Sequence, residues 1–184
     1  METIGSVRVV RQKDMKVSLT PKEISICKQA ATLRWQLARA SGVANQRRDQ
    51  GRSDSDLDLL GIKAELSVAK VFDIDHNPFQ LGVDSGEDMW VGDISVDVKS
   101  TFYPRGRLLF KDINSFKADC AVLVCQEDED TYNVAGYCSR EKFKRDSSLM
   151  DLGHGVGSVM DQDDLSPLEN LWVYSTQRRL QKFS

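Results

Sequence analysis

Asp88, Asp97 and Lys99 fall within one short segment, Asp84 to Thr101. Gly92 and Asp93 separate two runs of alternating apolar and polar residues, and a Gly-X pair in that setting signals a two-residue hairpin turn. Strands over about 87–91 and 94–100 then pair Val91 with Ile94, Trp90 with Ser95 and Met89 with Val96. Asp88 falls opposite Asp97. Cross-strand partners have Cβ atoms ~5 Å apart, so two carboxylates share one small site. Lys99 follows Asp97 by two residues and points to the same face, with Trp90 beside them, while Met89, Val91, Ile94, Val96 and Val98 line the other face.

Like charges directly across a strand pair repel. A divalent cation relieves the repulsion, and hard carboxylate oxygens suit Mg2+ or Mn2+. A lysine beside such an ion can orient a water or offset charge on a phosphate oxygen. The plain alternative is a surface hairpin with cross-strand ion pairing, worth under ~1 kcal/mol. A third carboxylate, Glu65, sits in a helical run between Ile62 and Leu66 or Ala69. On the edge of a buried face it needs a partner or a metal; pairing with Lys63 or Lys70 is the simpler option.

Several elements must position these groups. Thr20, Pro21 and Glu23 form a helix start with a capping box, and apolar spacing from Ile24 through Cys27, Ala31, Trp35 and Ala38 predicts a helix over about 20–41. The polar stretch of about 45–58 reads as a mobile loop. A second helix follows from about Leu59 to Phe72. Beyond the hairpin, strands are expected at 107–110, 120–126 and 132–138, and a short helix capped by Ser139. The tail holds Gly153 to Gly157, flanking His154, then Leu165 to Leu171, then a basic end. The pattern is a single α+β domain over 1–184, with a central mixed, mostly antiparallel sheet flanked by helices.

Composition narrows the classes further. The 184 residues carry 25 Lys plus Arg against 28 Asp plus Glu, a formal net charge of -3. That balance argues against a broadly basic nucleic-acid binder, though not against a local site. The longest apolar runs fall far short of the roughly 18 residues of a membrane span, so no membrane association is expected. Cys27, Cys120, Cys125 and Cys138 lack CxxC spacing and read as structural thiols in a reducing compartment.

Glu65 in a helix, then Asp88, then Asp97-Val98-Lys99 resembles the PD-(D/E)XK nuclease superfamily. The wider chain is similar to small phage-encoded nuclease-like proteins. The matching pieces are Thr20, Glu23 and Arg34 in the first helix, and Gly61, Glu65, Val68 and Ala69 in the second. Val134 to Tyr137 and Leu165 to Leu171 complete them. The Pro-Asp dipeptide of the family is absent, so the first hairpin carboxylate has three candidates. Pairing geometry favours Asp88, Asp84 is the fallback, and Asp93, in the turn, ranks last.

The resemblance implies a restriction-endonuclease-like core and Mg2+- or Mn2+-dependent hydrolysis of DNA phosphodiesters. Glu65, Asp88 and Asp97 would hold the metal with the Val98 carbonyl, and Lys99 would orient the attacking water. Apart from the resemblance, Arg105, Arg107 and Lys111 follow the motif strand and could contact phosphates of DNA, as could Arg47, Arg48 and Arg52 in the polar loop; solvated loops are the plain alternative for both groups. A homodimer, a protein partner that delivers DNA, and a place in the (host) cytoplasm are compatible expectations. The competing reading is a catalytically silent nuclease fold kept as a DNA- or protein-binding module.

Overall fold

A computed structural model describes residues 15–40, 52–80, 86–153 and 155–182, with side chains of the last helix described as far as Thr176. The chain is α+β, with helices flanking a mixed sheet. Five strands run in the order β1-β6-β5-β3-β2: β1 (Met15–Ser18), β2 (Met89–Val91), β3 (Ile94–Thr101), β5 (Cys120–Gln126) and β6 (Thr131–Ser139). The β3–β5 pair is parallel and the other neighbours are antiparallel. A second, three-stranded sheet has the order β4-β8-β7, from β4 (Arg107–Phe110), β7 (Ser148–Asp151) and β8 (Val156–Asp161). Among the described residues no helix is long and apolar enough to cross a membrane.

Two helices precede the hairpin. α1 (Pro21–Ala40) starts at the expected capping box: the Thr20 N–H donates to Glu23 Oε2 (2.7 Å) and the Glu23 N–H to Thr20 Oγ1 (3.3 Å). α2 (Asp54–Phe72) starts five residues earlier than Leu59, inside the expected loop of 45–58. The cause is a second capping box, Ser53 with Asp56, which satisfies orphan N–H groups at the helix start. The rest of that expected loop, 45–51, lies outside the described residues. α3 (Arg140–Asp146) is capped by Ser139 as expected, and a further helix, α4 (Glu169–Lys182), closes the chain.

The centre of the five-stranded sheet is buried on both faces. On one face Leu60, Ala64, Val68 and Phe72 of α2 pack on Met89, Val91, Ile94 and Val96 and on Val122 and Val124 of β5. On the other, Ala121, Leu123 and Cys125 meet Leu108, Phe110, Phe116, Phe143 and Leu165. β5 is therefore apolar in every position up to Cys125, as a central strand must be. The four cysteines are free and buried, and burial raises the Cys27 and Cys138 thiols to about 11.

Candidate functional site

The hairpin has the register read from sequence: Met89 pairs with Val96, Trp90 with Ser95 and Val91 with Ile94. The ladder ends at Met89, so Asp88 is held by different means. Its N–H donates to the Val96 carbonyl (2.8 Å), and its Oδ2 accepts from the Val98 N–H (2.6 Å). Asp88 thus straddles Asp97 along the open edge of β3. Because alternate residues of a strand send both backbone groups to the same side, the Val98 carbonyl is directed to this edge too.

Asp97 and Lys99 lie on the face away from α2. Their β5 neighbours, Ala121 and Leu123, belong to the core on that side. Asp97 is 4% exposed, and Lys99 Nζ sits 2.7 Å from its Oδ1 and 4.9 Å from the Phe110 ring centroid. A buried carboxylate needs such a partner, since unpaired burial of a charge is costly.

Asp88 is exposed as a residue, yet its carboxyl is pushed up to about 6. Lost hydration is the main cause, opposed by the Val98 N–H and reinforced by the negative charges of Glu65 and Asp97; Lys99 lowers it slightly. The charges of Glu65 and Asp97 therefore both reach the Asp88 carboxyl. Raised above its ordinary value in the folded protein, this carboxyl favours folding when protonated, so its contribution fades as pH rises from about 4 through 6. Asp88→Asn keeps an acceptor for the Val98 N–H and removes the titration. Solvent screening discounts the effect to about 1 kcal/mol, so the variant should melt roughly 2–4 °C higher at pH 7.5 and match wild type near pH 4. Thermal melts across that pH range check it; an equal effect at both pH values contradicts it.

Glu65 is placed differently from Asp97. It lies on α2, which packs on the opposite face of β3, and it is tied to groups that sequence reasoning did not pair with it. Arg34 Nη1 and Nη2 donate to its two oxygens at 3.3 and 3.2 Å. His76 Nε2 lies 3.4 Å from Oε2, off hydrogen-bond geometry. Burial raises the Glu65 carboxyl, but His76 and Arg34 together outweigh burial and hold it below the usual range. Lys63 instead reaches Glu129 O and Asp130, and Lys70 pairs with Glu23, because residues two or five apart in a helix do not share a face. Among the described residues, no three His, Cys, Asp or Glu side chains gather closely enough to hold a metal ion.

Lys99 opens into a groove of about 480 Å3 that also holds Arg107 and Lys111. This adjoins a larger groove of about 1100 Å3, through shared Ser100, Arg107 and Leu109, where Arg105 and the exposed Tyr103 lie. The expected basic rim is charge-balanced: Arg105 pairs with Asp163 (3.0 Å), Arg107 pairs with Asp161, and Asp112 and Asp164 also line the two grooves. Lys111 forms no ion pair among the described residues. Trp90, beside Ser95 on the Asp97 face, is 54% exposed. Arg52 packs over the Phe102 ring at 3.5 Å. Asp93 falls in the hairpin turn, while Asp84, Arg47, Arg48 and His154 lie outside the described residues.

The Asp88 clasp and the Asp97–Lys99 pair join two like charges and one ammonium around a strand edge that opens beside a groove. No family model, no curated protein and no solved structure matches this chain.

Proposed function

We propose that the chain is a metal-dependent deoxyribonuclease of the PD-(D/E)XK kind, acting on phosphodiester bonds of DNA. The observation that supports it best is the clasp of Asp88 across Asp97, with Val98 N–H on one side and Lys99 on the other. Crowding like charges at a sheet edge is hard to motivate by stability alone. It suits a divalent cation bound by hard oxygens. Asp88, Asp97 and the Val98 carbonyl would hold Mg2+ or Mn2+, with Glu65 as a further ligand, and the ion would supply Lewis acidity at a phosphoryl oxygen and a more acidic water. Lys99, held by Asp97, orients a water and offsets charge building on phosphate oxygen. The balanced grooves suit weak DNA binding or a partner protein that delivers DNA.

The test is incubation of the full chain with linear, circular, branched and single-stranded DNA, with Mg2+ or Mn2+ and with EDTA. Cleavage with metal and none with EDTA supports the reading; no cleavage of any substrate overturns it. A silent binding module is the second reading, favoured by the Arg34 and His76 contacts that occupy Glu65. DNA bound equally well in EDTA and by Asp97→Asn protein, with no cleavage, would select it.

Lys111→Ala should weaken DNA binding evenly across sequences and reduce the slope of log affinity against log salt by about one. Fluorescence anisotropy over a salt series measures this; an unchanged slope removes Lys111 from the DNA path.

A further inference from the structure

Two aromatic side chains stand in solvent on either side of the Asp97–Lys99 pair. Trp90 is 54% exposed and Tyr103 65%, where rings of this size usually contribute by burial. Trp90 lies directly across from Ser95, so its ring shares a face with Asp97, its diagonal neighbour about 7 Å away. Tyr103 follows the far end of β3, where its N–H donates to Thr101 Oγ1 (3.3 Å). Ser95 and Thr101 are about 20 Å apart along the strand, with Asp97 and Lys99 between them.

Tyr103 lines the groove of about 1100 Å3, which adjoins the Lys99 groove. This groove offers little net charge to a phosphate backbone, since Arg105 is paired with Asp163 and Arg107 with Asp161. Its wall is apolar instead. Leu109 stands opposite Val159 across the β4–β8 ladder, and Met150 of β7 shares that face. A volume at the upper end of small-ligand pockets leaves ample room for a nucleobase. Bases inside a duplex are already stacked on their neighbours, whereas unpaired bases can splay onto aromatic rings. Stacking needs no excess of positive charge, so it also suits a chain of net charge -3.

We propose that the DNA taken by this site is single-stranded, with one unpaired base stacked on Trp90 and a second held in the groove beside Tyr103. This rests on the reading of the chain as a DNA-acting protein and names the substrate class within it. Trp90 and Tyr103 determine which DNA is accepted, while Asp97 and Lys99 lie between the two bases they hold. Base stacking requires no metal ion, so recognition of the strand and its hydrolysis are separable.

Fluorescence anisotropy of the full chain in EDTA, with a labelled oligo-dT strand and a labelled blunt duplex of the same length, tests the proposal without cleavage. Wild type should bind the single strand at least about tenfold more tightly than the duplex. Trp90→Ala and Tyr103→Ala should each lose about tenfold on the single strand. Duplex binding should not move, and the slope of log affinity against log salt should stay as it is. Trp90→Phe should keep most of the affinity, because a ring remains. Tyr103→Ala carries the test alone if Trp90→Ala does not fold. Equal losses on both DNAs, or wild-type affinity in both alanine variants, would overturn the proposal; metal-dependent cleavage that persists in those variants would leave the nuclease reading standing. A wild type that prefers duplex, or binds neither DNA, also overturns it. Single-strand binding that depends on both rings, with no cleavage in Mn2+, would uphold the proposal and reject the nuclease alone.

Discussion

Asp97→Asn protein is expected to fold and to lose Mg2+-dependent DNA cleavage by about 10³-fold or more. The amide keeps the shape of the carboxyl, so the packing against Ala121 is retained. What disappears is the charge that faces both Lys99 and the proposed cation. Lys99 is 38% exposed and can swing its ammonium into water, so the cost in stability should stay near ~1 kcal/mol. Lys99→Ala is the harsher change. It leaves the charge of buried Asp97 in place and removes the ammonium 2.7 Å from it, a loss that Asp97→Asn, which removes the charge itself, does not incur. The two variants thus separate catalysis from folding: both should be inactive, but only the lysine variant should be markedly less stable without metal. Cleavage rates paired with thermal melts read both effects, and an Asp97→Asn enzyme with near-native activity would remove Asp97 from the chemistry.

Gly136→Ala should be among the most destabilising single substitutions, at several kcal/mol. Gly136 has φ +146°, a region L side chains rarely adopt. An added Cβ would lie 2.8 Å from Ser166 O and 2.9 Å from Leu165 Cβ. Neither obstacle is a flexible side-chain tip, so backbone must move. The neighbouring Tyr137 exchanges backbone hydrogen bonds with Ser166 at 3.0 and 2.8 Å. Pushing this contact apart would lift Leu165 from the core beneath the Asp97 face. Strain and overpacking each cost about 1–3 kcal/mol. Urea unfolding measures the sum; a loss below ~1 kcal/mol would mean the tail is not a structural clamp on β6.

This contact also explains why two distant sequence motifs belong together. Val134 to Tyr137 and Leu165 to Leu171 are separate patterns in the sequence, and in the structure they meet as strand and strap. The hairpin itself was legible because Gly92 and Asp93 stand between clean alternating runs, and local pairing then fixes every side chain's face. The capped starts of α1 and α3 were legible for a similar reason, since each rests on a side chain bonded to backbone three residues away. α4 went unread although Ser166, Pro167 and Glu169 repeat the pattern of Thr20, Pro21 and Glu23. The Ser53–Asp56 box was masked by the polar stretch around it.

Long-range features left weaker traces. The β4-β8-β7 sheet joins residues some fifty positions apart, Arg107 with Asp161 and Phe110 with Ser158, and no local signal specifies such pairs. The partners of Glu65 come from α1 and from the irregular segment after α2. Helical periodicity indicated that Glu65 borders a buried face. It could not indicate that α2 covers the face of β3 opposite to Asp97, since docking is decided by the whole core. The charge balance of the grooves was likewise invisible, because Asp161, Asp163 and Asp164 are remote in sequence from Arg105 and Arg107.

Asp88, Asp97 and the Val98 carbonyl are proposed as a divalent-cation site. A crystal of the protein soaked in Mn2+ at pH 7.5, above the raised Asp88 carboxyl, tests it most directly. An anomalous peak is expected at the β3 edge within ligand distance of all three groups. An empty edge in crystals diffracting well enough to reveal Mn2+, or a peak only at surface carboxylates elsewhere, would contradict it.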